Sequence, residues 1–194
     1  MFIQTETTPN PATLKFLPGR EVMPSGTAEF RDVQSAQEGS PLAARLFDVP
    51  GVTGVFFGYD FVTVTKGDAE WQHLKPAILG ALMEHFLSGA PVLAGQHQSQ
   101  MADIEAGEEF YDEADEEIVV TIKEILDTRV RPAVAQDGGD ITFRGYKEGT
   151  VFLNMKGACA GCPSSTATLK HGIQNLLRHF VPEVQEVEQI AEAY

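Results

Sequence analysis

Thiols are scarce in this chain. Two cysteines in 194 residues exclude a secreted disulfide scaffold, which would carry more of them, spread more widely. Basic residues are scarce too. Lys and Arg number 14 against 28 Asp and Glu, for a formal net charge of −14. That balance excludes nucleic acid as a partner, because phosphates need neutralising by Lys and Arg. It equally excludes an anionic membrane surface. No apolar run is long enough to cross a bilayer, so no membrane span is expected. The opening residues, MFIQTETTPNP, lack a basic stretch followed by an apolar one, so no signal peptide is read there. They are not Arg-rich in the manner of a transit peptide. Internal repeats are lacking as well. The expected compartment is a reducing cytosol, where a close cysteine pair is more often metal-binding or catalytic than bridged.

What is present supports a folded protein. The apolar fraction of 43% is that of a chain with a packed core, and the length allows one large domain or two small ones. Composition shifts in the middle. The stretch 94–117, AGQHQSQMADIEAGEEFYDEADEE, has few apolar residues and many carboxylates, and cannot offset its ordering entropy by burial. The expected division is a first domain over 1–93, an acidic linker over 94–112 and a second domain over 113–194, both domains being α+β.

In the first half, ATLKFLP is a strand candidate. SPLAARLFDV has Ser40 as N-cap and Pro41 at the first helical position, with Leu42, Leu46 and Val49 apolar. Gly58-Tyr59-Asp60 separates two β-rich runs, a hairpin signal. Tyr59 and Phe61 beside that turn are read equally as contact residues or as sheet packing. EWQHLKPAILGALMEHFLSG spaces Leu74, Ile78, Leu82 and Phe86 for one helix face, with Pro76 expected in the first turn and Gly89 after the end. His73 and His85 stand apart from each other. They read as surface or satisfied core histidines, since two complete no usual zinc site.

The second half opens with EEIVVTIKEILDTRVRPAVAQ, read as one helix with Ile118, Ile122, Ile125 and Leu126 on its apolar face. DGGD, residues 137–140, reads as a turn that also has the means to shape a site. ITFRGYKEGTVFLNMKG alternates around Lys147-Glu148-Gly149 as a hairpin. PSSTATLKHGIQNLLRHF is a helix with Leu169, Ile173, Leu176 and Leu177 apolar, and VPEVQEVEQI a closing edge strand. The order is α-β-β-α-β, with no parallel β-α-β pattern expected.

Both cysteines fall in GACAGCPSS, 157–165. Pro163 prefers a first helical turn, which places Cys162 at the N-cap and Cys159 in the loop before it. Free amides and the helix dipole at that end favour an anion and lower a thiol's pKa. The small residues Gly157, Ala158, Ala160 and Gly161 let backbone approach a bulky inorganic group, and nothing in the loop is large enough to shield the thiols, so both are expected to be exposed. Ser164 and Ser165 read as first-turn residues, and Lys170 as a solvated lysine with the means to balance a cluster's charge. Four readings stay open for the pair. A dithiol oxidoreductase would use the first cysteine as nucleophile in a β-α-β unit. A zinc-bridged interaction module needs four ligands. A structural disulfide is unfavoured in a reducing compartment. An iron–sulfur cluster takes four cysteines as a rule, and two chains about a two-fold axis supply them.

The run from Arg131 to Ile173 resembles the C-terminal domain of NifU, the Nfu domain. The shared residues include Arg131-Pro132, Asp137-Gly138-Gly139-Asp140, Gly157, Cys159, Cys162-Pro163-Ser164-Ser165, Thr168-Leu169-Lys170 and Gly172-Ile173. TPNPATLKF and GVTGVFFGYDFVTVTK resemble the N-terminal domain of mitochondrial and alphaproteobacterial Nfu proteins. The resemblance implies a carrier, not an enzyme. Such a protein takes a [4Fe-4S] cluster (alternatively [2Fe-2S]) from an upstream assembly scaffold. It holds the cluster between two subunits through Cys159 and Cys162 and passes it to recipient apo-proteins as a cluster-bound homodimer. It also adds the mature form of a mitochondrial matrix protein as an alternative to the cytosol.

Overall fold

The computed structural model describes residues 1–95, 109–161 and 163–190. Two compact units, Met1–Glu105 and Ala106–Tyr194, each carry a core of their own.

The first unit is built on strands β1 (Gln4–Thr7), β2 (Thr13–Leu17), β3 (Ala28–Phe30), β4 (Val52–Phe57) and β5 (Val62–Lys66). They form one antiparallel sheet in the order β1-β2-β5-β4-β3. Alternate positions, Val55 and Phe57 on β4 and Val62 and Val64 on β5, join a core with Leu42 and Leu46 of helix α2 (Pro41–Phe47) and Ile78 and Leu82 of helix α3 (Trp71–Ser88). That alternation is the period-two pattern of a sheet with one face packed on helices. Ser40 caps α2 as expected, its Oγ accepting the Ala43 N–H at 2.9 Å. Ser40 also terminates a short helix α1 (Val33–Gly39). The β4–β5 hairpin closes through the Gly58 N–H, which donates to the Phe61 carbonyl at 3.0 Å. Of the two aromatics beside it, Tyr59 is exposed, whereas Phe61 is buried against Phe56.

Helix α3 corrects one expectation. It begins at Trp71, whose indole N–H donates to the Pro11 carbonyl at 3.1 Å. Pro76 therefore lies in the second turn and removes one ladder bond. Gly89 ends the helix with φ of 72°, the left-handed conformation that suits a glycine cap. His73 is exposed and His85 buried. The His85 Nε2 has no hydrogen-bond partner among the described residues, and burial, first of all, lowers its pKa.

In the second unit the opening helix widens midway. Helix α4 (Glu116–Ile125) passes into a widened turn over Leu126–Val130 before helix α5 (Arg131–Gln136). Pro132 is the physical reason. It has no N–H, and its ring crowds the carbonyl four residues back, so an unbroken α-ladder cannot run through it. Val119, rather than Ile118, is fully buried beside Ile122, Ile125 and Leu126. Strands β6 (Gly139–Lys147) and β7 (Thr150–Gly157) pair antiparallel across Glu148-Gly149, with φ of 51° and 82°. Two successive positive values mark a type I′ hairpin.

After β7 comes helix α6 (Pro163–Phe180), then strand β8 (Glu186–Gln189), which pairs with β7 in parallel. The sheet order is β6-β7-β8, so β8 is an edge strand as expected. The parallel pairing overturns the expectation that no β-α-β unit exists, because β7-α6-β8 is one. Parallel strands require a long crossover, and α6 supplies it.

Candidate functional site

The loop between β7 and α6 carries the cysteines. Gly157 and Gly161, with φ of 66° and 81°, bend it tightly, and the Ala160 N–H donates to the Gly157 carbonyl at 3.1 Å. Thr166 on α6 donates its hydroxyl to the Cys159 carbonyl at 2.9 Å. Cys162, expected at the N-cap, lies outside the described residues, as do 96–108 of the expected linker.

Cys159 does not lie open to solvent. It is 6% exposed and belongs to the second unit's core. Burial, and after it the negative charges of Asp137 and Asp140, push its thiol up to about 12. Both effects disfavour a thiolate. The cause of the burial lies on another strand. Gly139 pairs with Gly157 across β6 and β7, and a Cβ at Gly139 would stand 2.6 Å from the Cys159 Sγ. The Ala158 N–H also donates to the Gly138 carbonyl at 3.2 Å. The DGGD stretch is thus half turn and half strand. Gly138 takes a positive φ of 82°, whereas Gly139 does not. Glycine at 139 answers to close approach, not to turn geometry. The glycine pair was visible in the sequence, but nothing local says that its second member faces a thiol.

Asp140 is buried and fully engaged. Its carboxylate accepts from Arg131 Nε at 3.0 Å, Arg131 Nη2 at 2.9 Å and the Ile141 N–H at 2.8 Å. Arg131 also reaches Asp127 at 3.3 Å. This fork geometry is the strong form of a carboxylate ion pair, and it anchors α5 to the start of β6 beside the cysteine loop. Lys170 is not a solvated lysine. It pairs with Glu188 at 3.0 Å and so ties α6 to β8. Ser164 is exposed in the first turn of α6, as read from the sequence.

Gly139→Ala tests the packing. Alanine suits the strand backbone, so the cost is steric: its Cβ would meet the Cys159 Sγ and the Lys156 carbonyl, each at 2.6 Å. The expected result is a loss of about 1–3 kcal/mol, read by urea unfolding, together with lower metal retention after anaerobic loading. Unchanged values for both would remove Gly139 from the site.

Two family models match the chain. The one described as scaffold protein Nfu/NifU N terminal matches residues 3–89, and the NifU-like domain matches residues 122–188. A Drosophila ananassae protein named NFU1 iron-sulfur cluster scaffold homolog, mitochondrial, is 50% identical over 195 residues, covering 100% of this chain and 65% of its own length. NifU-like protein 4, mitochondrial, of Arabidopsis thaliana is 50% identical over 97% of this chain and 66% of its own length. The chain thus spans slightly under two thirds of these relatives. Among solved structures, a NifU-like protein from Saccharomyces cerevisiae is 29% identical, covering 49% of this chain and 86% of its own, with a TM-score of 0.44.

Proposed function

This chain belongs to the family of Nfu and NifU-like proteins, and from that premise we propose that it is a carrier of iron–sulfur clusters. The cluster is its cargo, a [4Fe-4S] unit in the first instance, with [2Fe-2S] as the alternative. Cys159 and Cys162 of each of two chains hold it. An upstream assembly scaffold supplies it, and apo iron–sulfur proteins receive it. The carrier turns over no substrate of its own, and it works in a reducing compartment. The names of its relatives, which call them mitochondrial, favour the mitochondrion over the cytosol.

One observation carries the reading: the only two cysteines of the chain share one glycine-hinged loop between β7 and α6. They are half of the usual four-cysteine set. The donors fit a cluster on one condition. Cys159 must leave the core and lose its proton, because the thiolate is the ligand and metal binding releases protons. Gly157 and Gly161, free of side-chain restriction, are the positions at which the loop would have to turn the sulfur outward. A site that has to open in order to load is also open to a recipient's thiolates, and ligand exchange then moves the cluster.

The β-α-β unit removes one objection to a dithiol oxidoreductase. The raised pKa of the buried Cys159 weighs on both readings alike, since each needs the thiolate; what favours the carrier is the family, whose relatives are named iron-sulfur cluster scaffolds. The carrier remains the better reading.

The proposed division of labour gives the test. Residues 109–190 contain Cys159, Cys162 and a closed core. Anaerobic reconstitution of this fragment should yield a brown product whose Mössbauer spectrum reports the cluster type. The fragment 1–93 should fold and stay colourless. A colourless cysteine-bearing fragment holding stoichiometric zinc would support the bridged zinc module instead. Metal-independent disulfide reduction would support the oxidoreductase. A cluster held only by the full chain would assign the first unit a ligand or a shielding role.

A further inference from the structure

Among the described strands, β6 pairs with β7 on one side only. Along its other edge runs a short segment that the composition assigned to the linker. Phe110 forms a parallel bridge with Gly145. Its N–H donates to the Arg144 carbonyl at 3.1 Å, and its carbonyl accepts the Tyr146 N–H at 2.9 Å. The ring lies flat on Gly145, where a Cβ would stand 2.4 Å from it, and packs on Phe152 at 5.1 Å between centroids. Glu109, the residue before it, pairs with Lys123 of α4. The strand register shifts between Phe143 and Gly145, a bulge that bends the edge where the ring sits.

These features make a recognition site with three parts. An edge offers one carbonyl and one N–H, a glycine floor takes a flat ring, and a lysine takes the acid in front of that ring. We propose that the outer edge of β6 is a strand-addition site for an extended peptide of a partner protein, carrying an acidic residue followed by an aromatic one. Residues 109–111 occupy it in cis as a competitor. Main-chain bonds supply affinity in this mode and side-chain seats supply specificity. Among the described residues, the resident segment makes two backbone bonds to the strand, and Phe110 and Tyr111 remain 42% and 40% exposed. Charge selects a peptide over a second β6 edge, because an acidic segment complements Lys123 and another copy of the strand does not. The site lies outside the cysteine loop, and the proposal needs no metal.

The test uses the full chain, metal-free and reduced, with a fluorescein-labelled peptide of residues 107–113, GEEFYDE, as the probe. Phe110→Ala should bind it saturably in fluorescence anisotropy. The wild-type chain should need at least ~10-fold more protein, because a tethered competitor acts at an effective concentration on the order of mM. The same peptide with alanine for phenylalanine should not bind. Adding Gly145→Ala to the Phe110→Ala chain should abolish binding by filling the floor. Glu109→Gln, which loosens the segment and keeps the ring, should bind more tightly than wild type, and it serves if Phe110→Ala fails to fold. The proposal is overturned by no binding to folded Phe110→Ala, by equal binding to variant and wild type, or by unchanged affinity in Glu109→Gln. Concentration-dependent dimerisation of Phe110→Ala in sedimentation would likewise overturn it and assign the edge to a second copy.

Discussion

Cys159→Ser and Cys162→Ser should each abolish stable cluster binding after anaerobic reconstitution. A hydroxyl is a far weaker iron ligand than a thiolate, and a shared site loses two of its four thiolates when each chain loses one. The two variants should differ in stability. Cys159 packs in the core of the second unit, contrary to the expectation of a wholly exposed loop. Serine there buries a hydroxyl where a weakly polar sulfur stood, at a cost of about 1–3 kcal/mol. Urea unfolding of the apo-proteins, set beside iron and sulfide counts, separates the two effects. Cluster loss in Cys162→Ser together with a native unfolding midpoint isolates ligation from folding. A full iron complement in either variant would sink the assignment of that cysteine.

Cluster loading is expected to convert the apo-protein, as a monomer or weak dimer, into a dimer with one cluster per pair. On the proposed reading each chain brings two thiolates and a four-iron cluster takes four, so the cluster should staple the chains together. Charge opposes any other pairing. Each chain carries −14, and two of them repel, most strongly at low salt. By mass action, a ligand bound only by the dimer stabilises the dimer, so the association constant should rise with cluster occupancy. Anaerobic sedimentation of apo and holo samples, with iron counted per chain, gives the answer. A holo-monomer holding four irons with no external thiol would refute the shared site. An equally tight apo-dimer would show that protein contacts hold the pair.

Much of the architecture was legible because it is written locally. Ser40-Pro41 starts a helix by satisfying one amide and needing none at the next position. Glu148-Gly149 closes a hairpin because both residues take positive φ. Leu74, Ile78, Leu82 and Phe86 share a face by the helical period alone. Misreadings arose where a local rule met a tertiary partner. Pro76 reads as a first-turn residue, but the helix starts at Trp71 and places it in the second turn. The acidic stretch read as linker throughout, yet its residues 109–111 are held by an edge strand and a lysine.

The cysteine loop divides along the same line. The sequence by itself determined that both thiols lie in one glycine-rich stretch ahead of a helix, and that the chain has two cysteines where a cluster takes four as a rule. Those are facts of spacing and count. Only the tertiary structure decided that Cys159 is buried and strongly disposed to keep its proton. That property is set first by burial in the second unit's core and then by the charges of Asp137 and Asp140, and the β6–β7 pairing brings Gly139 against the thiol. Burial and field at an atom sum over neighbours in space, and spacing along the chain does not record which neighbours those are.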